Sequence, residues 1–384
     1  MADPRPNILT IMVDQWNYRC LGLRNHPDVR TPNLDQLAAE GISFDNAYAQ
    51  SPLCQPSRTC FLTWTKCSTH RAFGNAPGRI DKRLPLMPQA FREAGYHTAV
   101  TGKMHLDVMP PDFGADFISS TLRGENWRVC GGGHAYSEDI QKRGYPHPND
   151  QTHGWEPNRV PPGSADPQAP MPVQCSGCSD IPVEDSIERW ATDEALRFLR
   201  EAREPAKPFW LWLSYDRPHG PHAVPPPWDA RHTPESIHLD AFPDRETLSS
   251  KLRKYLSDLN NEEFANEDYL RQILASYFNL MELIDHEIGR VIAHLKEAGL
   301  YESTIITFCA DHGDRAGVLR LNNKPGCTTD QINHVPLIIK GVGQSQRGRR
   351  IERTVRLIDL WPTYSELCGL EIPYTAEGRS LAPA

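Results

Sequence analysis

The sequence has 384 residues, of which 39% are hydrophobic and 23% charged, as in a globular protein of one or two domains. Its formal net charge of -8 excludes a broadly basic surface for nucleic acid or an anionic membrane. No apolar run could span a bilayer and no signal region precedes Asn7, so we expect a cytoplasmic protein, or a periplasmic one if a leader was removed. The 10 scattered cysteines favour reduced thiols over a disulfide framework.

Apolar runs and helix-boundary signals alternate along the chain. In chain order we predict a strand at residues 7–13, a helix from Thr31 to Gly41, a helix ending at residues 91–94, a strand at 96–101, a helix at 184–202, a strand at 209–215, a helix at 267–298, strands at 304–310 and 335–339, and a helix at 359–368. This alternation predicts an α/β fold with a mostly parallel sheet sandwiched by helices. We interpret residues 1–384 as a single domain, with a loop-rich insertion at 120–180 that sets specificity.

Reactive side chains follow four of the predicted strands. They are Asp14, Lys103, His219 and Asp311. Because ligands bind beyond the carboxyl ends of the strands in open α/β sheets, we expect these side chains to lie together. Asp14 with Gln15, and Asp311 with His312, would make a site for a hard divalent cation, and the histidine nitrogen makes Mn²⁺ more plausible than an all-oxygen site would.

The segment Cys54-Gln55-Pro56-Ser57-Arg58 is the most informative stretch of the chain. It is similar to the signal by which type I sulfatases have a cysteine converted to formylglycine. Further motifs occur in the order seen in that family, namely LTIMVDQW at 9–16, TPNLD at 31–35, GKMHL at 102–106, RPH at 217–219, DHG at 311–313 and VPLI at 335–338. The chain therefore resembles the type I sulfatases of the alkaline phosphatase superfamily, nearest the arylsulfatase and phosphonate monoester hydrolase branch.

The resemblance implies one divalent metal ion, with Ca²⁺ favoured over Mn²⁺ or Mg²⁺, and five residues that hold it. They are Asp14, Gln15, Asp311, His312 and the residue derived from Cys54. It also implies that a formylglycine-generating enzyme converts Cys54 to an aldehyde, whose hydrate is the nucleophile. One hydroxyl attacks sulfur and forms a covalent hemiacetal sulfate, and loss of the second hydroxyl's proton releases sulfate.

The resemblance implies further catalytic and substrate-binding residues around this nucleophile. Arg58, one turn beyond Cys54 on a helix that starts at Pro56, would orient the diol and counter its charge. Lys103, His105 and Lys324 would surround the oxygens of the transferring group. A second set completes the site: His219 as hydrogen-bond donor and general acid for the leaving group, and Asn75 as a polar residue near the diol.

Three features depart from the family pattern. Trp64 stands where the longer sulfatase signature has glycine. Gln15 replaces a common aspartate, which favours the phosphonate monoester hydrolase branch, whereas Lys103 and His105 are of the sulfatase type. Residues 359–381 resemble the segment before a small C-terminal subdomain, which we expect to be short or missing.

The residues leave two alternatives open beside a sulfuric ester hydrolase. The same site could hydrolyse a phosphonate or phosphate ester, since lysine and histidine suit both transition states. A non-catalytic binding protein could keep the fold with Cys54 unmodified. We expect a small-molecule or carbohydrate sulfate ester as substrate, no nucleic-acid or membrane partner, and we leave a homo-oligomer open.

Overall fold

The computed structural model describes residues 5–75, 81, 83–106, 113–120, 135–145, 176–179, 181–251, 253–254, 267–324, 329–341, 347–371 and 375–382. Most of the insertion predicted at residues 120–180 lies outside these ranges. Within them, no helix combines the length and the apolar character that a bilayer-spanning segment needs.

An eight-stranded sheet forms the centre of the fold. Its strands are β1 (Asn7–Asp14), β2 (Ile42–Tyr48), β3 (His97–Gly102), β4 (Phe117–Ser120), β6 (Phe209–Pro218), β8 (Thr304–Ala310), β9 (Leu337–Lys340) and β10 (Arg349–Arg356). Their order in the sheet is β10-β2-β9-β8-β1-β6-β3-β4. Strand β9 runs antiparallel to both its neighbours, and the other described pairings are parallel. A separate parallel pair joins β5 (Ser176–Cys178) and β7 (His222–Val224). The predicted mostly parallel mixed sheet is confirmed.

Four neighbouring strands place the reactive residues at one edge of this sheet. Strands β8, β1, β6 and β3 are adjacent and mutually parallel, so their carboxyl ends point the same way. Strand β1 ends at Asp14, and Lys103, His219 and Asp311 directly follow β3, β6 and β8. The central strands are buried along their whole length because helices cover both faces.

The helices predicted at 31–41, 91–94, 184–202, 267–298 and 359–368 are present, and three short helices within the described ranges were not predicted. The described helices are α1 (Pro32–Glu40), α2 (Cys54–Thr63), α3 (Cys67–His70), α4 (Met87–Glu93), α5 (Ala135–Lys142), α6 (Ile187–Arg197), α7 (Glu267–Glu297), α8 (Asp330–Asn333) and α9 (Leu360–Leu367). The helix predicted at 184–202 is interrupted. A 3₁₀ turn precedes Ser186, whose side chain accepts the Arg189 N–H at the start of α6, and a π-helical turn ends it.

Three strands of the sheet were not predicted from the sequence. Strand β10 is charged and mostly exposed at the sheet edge, so it lacks the apolar alternation that marks a strand. Strand β2 follows α1 after Gly41 and carries polar residues in its second half, and β4 has only 4 residues. Each gains its strand conformation from pairing with a neighbour rather than from local sequence.

Candidate active site

Helix α2 places Cys54 in its first turn, two residues earlier than the predicted start at Pro56. All ten residues of α2 are buried, so the helix runs through the core beneath the sheet edge. Two side-chain contacts fix its beginning. Asn75 Oδ1 accepts the backbone N–H of Gln55 at 3.1 Å, and Ser57 Oγ donates to the Asp311 carbonyl at 2.5 Å. These contacts fix the position of residue 54 relative to the end of β8.

Three predicted site residues surround the Cys54 side chain. Its Sγ lies 3.6 Å from Asp14 Oδ1, 3.2 Å from His312 Nε2 and 2.9 Å from Lys324 Nζ. The cysteine is 1% exposed, so these groups determine its chemistry. Burial and Asp14 oppose ionisation of the thiol, but Lys324, His312 and Lys103 lower its pKa. The site therefore favours negative charge on the side chain of residue 54.

Arg58 bridges the two carboxylates rather than contacting Cys54. Its Nε donates to Asp311 Oδ2 at 2.7 Å, and its guanidinium lies 3.5 Å from Asp14 Oδ2. It also donates to the Lys103 carbonyl at 2.8 Å and to Ser214 Oγ at 2.7 Å. The resemblance predicts that Arg58 orients the diol and counters its charge. In the structure its guanidinium contacts Asp14 and Asp311, the carboxylates beside residue 54.

Lysine side chains give the site an excess of positive charge near Asp14. Lys103 forms an ion pair with Asp14 Oδ2, and Lys324 Nζ lies 3.8 Å from Asp14 Oδ1. Burial alone would raise the pKa of Asp14, yet Lys103 and Lys324 hold it well below its usual value. Burial opposes the charge on Lys103, but Asp14 raises its pKa. Two cations beside one carboxylate can also receive the oxygens of an anionic ester.

The donor atoms present fit a divalent cation. Oxygen, sulfur and nitrogen atoms of Asp14, Cys54, Asp311 and His312 all lie within 4.8 Å of one another. His312 Nδ1 lies 2.9 Å from the Gly313 carbonyl and keeps its proton, so Nε2 is the ring nitrogen that a metal ion would bind. Two carboxylates beside an imidazole nitrogen favour Ca²⁺, Mg²⁺ or Mn²⁺.

Gln15 presents its amide oxygen as a further donor. Its Nε2 donates to Asp314 Oδ2 at 2.6 Å and to Asn323 Oδ1 at 3.2 Å. Its Oε1 is buried and accepts no hydrogen bond from the described residues, as expected of an atom reserved for a ligand. Gln15 has φ of 70°, and Tyr277 OH donates to its carbonyl at 2.7 Å, which supports this left-handed backbone.

Three residues that support Gln15 were not singled out from the sequence. Asp314 and Asn323 fix the orientation of its amide, and Tyr277, from α7, holds its backbone. Asp314 follows His312 by two residues, so its place in the same loop is a signal that could have identified it. Tyr277 carries no such signal because it lies in the middle of a long amphipathic helix.

Two predicted histidines lie in the loops after β3 and β6. His105 is 4% exposed, and burial together with Lys103 holds its pKa well below the usual value. His219 Nδ1 lies 2.5 Å from the Gly220 carbonyl, which leaves Nε2 as the atom available to a ligand. Burial and Lys324 hold the pKa of His219 well below its usual value, although Asp14 opposes this shift. Both rings are therefore neutral before an anion binds.

Trp64 occupies the end of α2 in a left-handed conformation, with φ of 50°. A residue with left-handed backbone angles directly after a helix is most often glycine. This preference explains why the longer sulfatase signature has glycine at this position. Trp64 is fully buried, stacks on Trp361 with ring centroids 4.5 Å apart, and donates from Nε1 to Thr375 Oγ1 at 3.0 Å. Packing thus offsets the backbone strain, and the helix end is intact.

Comparison with known proteins places this chain in a family. The family model described as Sulfatase matches residues 6–370. The chain is 31% identical to the multifunctional alkaline phosphatase superfamily protein PehA of Trinickia caryophylli, covering 99% of this chain and 77% of that one. It is 30% identical to an arylsulfatase of Clostridium perfringens, covering 98% and 78%. The phosphonate monoester hydrolase structure of Agrobacterium radiobacter superposes with a TM-score of 0.79 at 25% identity, covering 99% and 77%.

These matches confirm the resemblance that the motifs predicted. The relatives are sulfatases and phosphonate monoester hydrolases of the alkaline phosphatase superfamily, and the fold is alkaline phosphatase-like. The prediction of an enzyme of the sulfuric ester hydrolase class is confirmed at the level of the family. By its whole-length match, the chain belongs to the sulfatase family.

Proposed function

We propose that the chain hydrolyses a sulfate ester to an alcohol and sulfate, with a formylglycine derived from Cys54 and one divalent cation. The observation that carries this proposal is the position of Cys54 Sγ, 3.6 Å from Asp14 Oδ1, 3.2 Å from His312 Nε2 and 2.9 Å from Lys324 Nζ. The sulfur stands where a hydroxyl oxygen of the hydrated aldehyde would lie. Asp14, Gln15, Asp311 and His312 would hold the cation beside it.

The formylglycine and the cation would have distinct tasks. The hydrated formylglycine would supply one hydroxyl as the nucleophile toward sulfur and a second whose deprotonation would allow release of sulfate. The divalent cation supplies positive charge that favours the ionised hydroxyl at neutral pH. Arg58 keeps Asp14 and Asp311 in register for that cation, because its guanidinium contacts both carboxylates.

Lys103 and Lys324 bind the ester anion and stabilise charge that develops during transfer. Lys324 Nζ already contacts both Cys54 Sγ and His312 Nε2, the latter at 2.8 Å, so it lies where the attacked group would enter. Fixed ammonium groups in a buried site stabilise a transition state more strongly than mobile water does. On binding, the ester oxygens would displace the two lysines from part of their present contacts.

His219 serves the leaving group. Its Nδ1 proton is committed to the Gly220 carbonyl, so Nε2 must take up a second proton before it can act as an acid. Burial, Lys324 and Lys103 disfavour that charge and hold the pKa of His219 well below its usual value. An anionic ester between these lysines offsets their charge and favours protonation of His219 when substrate is bound.

The test is a parallel measurement of hydrolysis of an aryl sulfate and an aryl phosphonate monoester. The protein is co-expressed with a formylglycine-generating enzyme, and the cation is supplied. We expect the larger kcat/KM for the sulfate. A larger kcat/KM for the phosphonate would reverse the assignment while leaving the same site in use. No hydrolysis of either ester would overturn the proposal.

Phosphonate monoester hydrolysis is the second candidate, favoured by two specific observations. Gln15 stands where many sulfatases have a carboxylate, which reduces the negative charge that faces the cation. The phosphonate monoester hydrolase structures of Agrobacterium radiobacter and Silicibacter pomeroyi both superpose with a TM-score of 0.79. The sulfate ester is placed first because the family model and the arylsulfatase relative both describe sulfatases.

A further inference from the structure

A second cluster of cysteine and histidine lies farther along α2. Its members are Cys60 on α2, and Cys67 and His70 at the two ends of α3. Cys60 Sγ lies 3.6 Å from Cys67 Sγ and 3.1 Å from His70 Nε2. Cys60 and His70 are fully buried, whereas Cys67 is half-buried. The active site uses none of these residues.

The chain fixes this cluster through contacts remote in sequence. Glu377 accepts hydrogen bonds from the Lys66 backbone N–H at 2.6 Å and from Thr69 Oγ1 at 3.0 Å. These contacts hold the turn between α2 and α3, which brings Cys67 over Cys60. The cluster is therefore part of the folded architecture and does not depend on a bound group.

The position of the proton on the neutral His70 ring distinguishes between a metal site and a pair of thiols. The backbone N–H of Ala72 donates to His70 Nδ1 at 3.0 Å, so the neutral ring carries its proton on Nε2. Metal-bound histidines instead donate their second ring N–H, and binding a cation through Nε2 here would leave the ring without a proton. With its proton on Nε2, His70 instead donates a hydrogen bond toward sulfur.

We propose that Cys60 and Cys67 form a reversible disulfide by exchange with a small-molecule disulfide. The half-buried Cys67 is the thiol that a small molecule can reach, and Cys60 is the buried partner. The two sulfur atoms must approach by about 1.5 Å to reach disulfide bonding distance. Helix α3 has 4 residues, so a small movement of this one turn is sufficient.

The exchange balances as two substitutions at sulfur. The Cys67 thiolate attacks one sulfur of the small disulfide, forms a mixed disulfide and releases one small thiolate, which takes a proton from water. Cys60 Sγ then attacks Cys67 Sγ, and the Cys60 proton goes to the second departing thiolate. Two cysteine thiols and one small disulfide thus become one protein disulfide and two small thiols.

The electrostatics assign the roles of the two thiols. Hydrogen bonds from Cys60 and His70 lower the pKa of the Cys67 thiol, although partial burial opposes this. The hydrogen bond with Cys67 and burial raise the pKa of Cys60. Attack by Cys67 and resolution by Cys60 follow from this difference. The inference does not depend on sulfate hydrolysis, because no residue of the cluster contacts the ester site.

The test incubates the full chain with glutathione at several ratios of disulfide to thiol, followed by acid quenching, alkylation and tryptic digestion. Trypsin cuts after Arg58, Lys66 and Arg71, so the two cysteines fall in separate peptides, residues 59–66 and 67–71. We expect a cross-linked pair of these peptides that grows with the proportion of glutathione disulfide and disappears with reductant. Absence of this pair at every ratio would overturn the proposal.

Variants separate the two roles and test for a metal site. Cys60→Ser should accumulate the glutathione adduct on Cys67, whereas Cys67→Ser should lose the exchange, and Cys309→Ser, at a buried thiol elsewhere, should behave as wild type. Cys67 should keep reacting at pH 6, where an ordinary thiol loses about tenfold in thiolate per pH unit. The contrary result is that the wild type binds one equivalent of zinc, that zinc blocks its alkylation, and that Cys67→Ser loses the zinc. This result would contradict the disulfide and assign a metal site.

Discussion

The two cysteine and histidine clusters along α2 use the same residue types, but Nδ1 of the imidazole is a donor in one and an acceptor in the other. At Cys54, His312 donates from Nδ1 to a carbonyl and turns Nε2, the nitrogen that a metal ion would bind, toward the sulfur. At Cys60, His70 accepts a backbone N–H at Nδ1 and turns its proton toward the sulfur. The first arrangement suits a cation and the second suits a thiolate. Backbone contacts of the ring therefore decide the chemistry of each cluster.

Charge separates the two clusters further. Asp14 and Asp311 stand beside Arg58, Lys103 and Lys324 at the first cluster. At the second cluster, the ion pair of Lys66 with Glu377 lies in the connecting turn. The first region is therefore organised to handle a multiply charged ligand, and the second is not. Mutations along α2 should reveal this division.

Asp14→Asn should have the largest effect. It keeps the shape of the side chain but removes the charge that contacts Lys103, Lys324 and Arg58. We expect kcat/KM for an aryl sulfate to fall about 10³-fold or more, because a cation ligand is weakened. Steady-state kinetics across a Ca²⁺ titration measure this.

Asp193→Asn is the matched control, since it removes a carboxylate from a surface pair with Arg290. It should leave the rate unchanged. The glutathione exchange at Cys60 and Cys67 should also be normal in Asp14→Asn. Coupled loss of both activities would mean that the two clusters are not independent.

His219→Gln should impair ester cleavage in a manner that depends on the leaving group. Proton donation is needed for a poor leaving alcohol and hardly needed for a strongly acidic phenol. We expect kcat/KM to fall about 10²- to 10³-fold for an alkyl sulfate and under about tenfold for a nitrophenyl sulfate. Equal losses on both esters would contradict the role of His219 as general acid.

Arg58→Met should destabilise the protein because it leaves two buried carboxylates without the guanidinium group that they share. Removing one partner of a buried ion pair costs about 3–5 kcal/mol in the free energy of unfolding. Urea denaturation of the metal-free protein measures this. Added Ca²⁺ should raise the midpoint less for the variant than for wild type, because Arg58 no longer holds the two carboxylates in register for the cation. An equal shift would show that Arg58 does not organise the cation site.

Trp64→Gly changes the other end of α2. Glycine relieves the left-handed backbone, worth about 1–2 kcal/mol, but loses the packing on Trp361, and deletion of a buried tryptophan side chain costs about 3–5 kcal/mol. We expect a net loss of about 2–3 kcal/mol in unfolding free energy, by urea denaturation. A gain in stability would show that backbone strain outweighs packing.

Asn75→Ala should have the smallest effect. It removes the acceptor for the Gln55 N–H at the beginning of α2. Loss of such a helix-capping contact costs about 1 kcal/mol in the free energy of unfolding. The KM for an aryl sulfate should stay within about threefold of wild type if Asn75 acts on the helix alone. A large rise in KM with unchanged stability would instead support the predicted substrate contact.

The sequence predicts one cluster better than the other for a physical reason. Asp14, Lys103, His219 and Asp311 each follow an apolar run, and parallel strands bring such positions together at one edge. The contact between Cys60 and Cys67 depends on a turn held by Glu377, which is 311 residues from Lys66. No local pattern encodes that contact. The support of Gln15 by Tyr277 is hidden for the same reason, since it joins a strand end to the middle of α7.

The state of residue 54 tests the central claim most directly. Peptide mass spectrometry of protein co-expressed with a formylglycine-generating enzyme should show residue 54 lighter by about 18 Da than cysteine. Aryl sulfate hydrolysis in each preparation should rise in proportion to the converted fraction. Full hydrolytic activity in protein whose residue 54 remains cysteine would contradict the account.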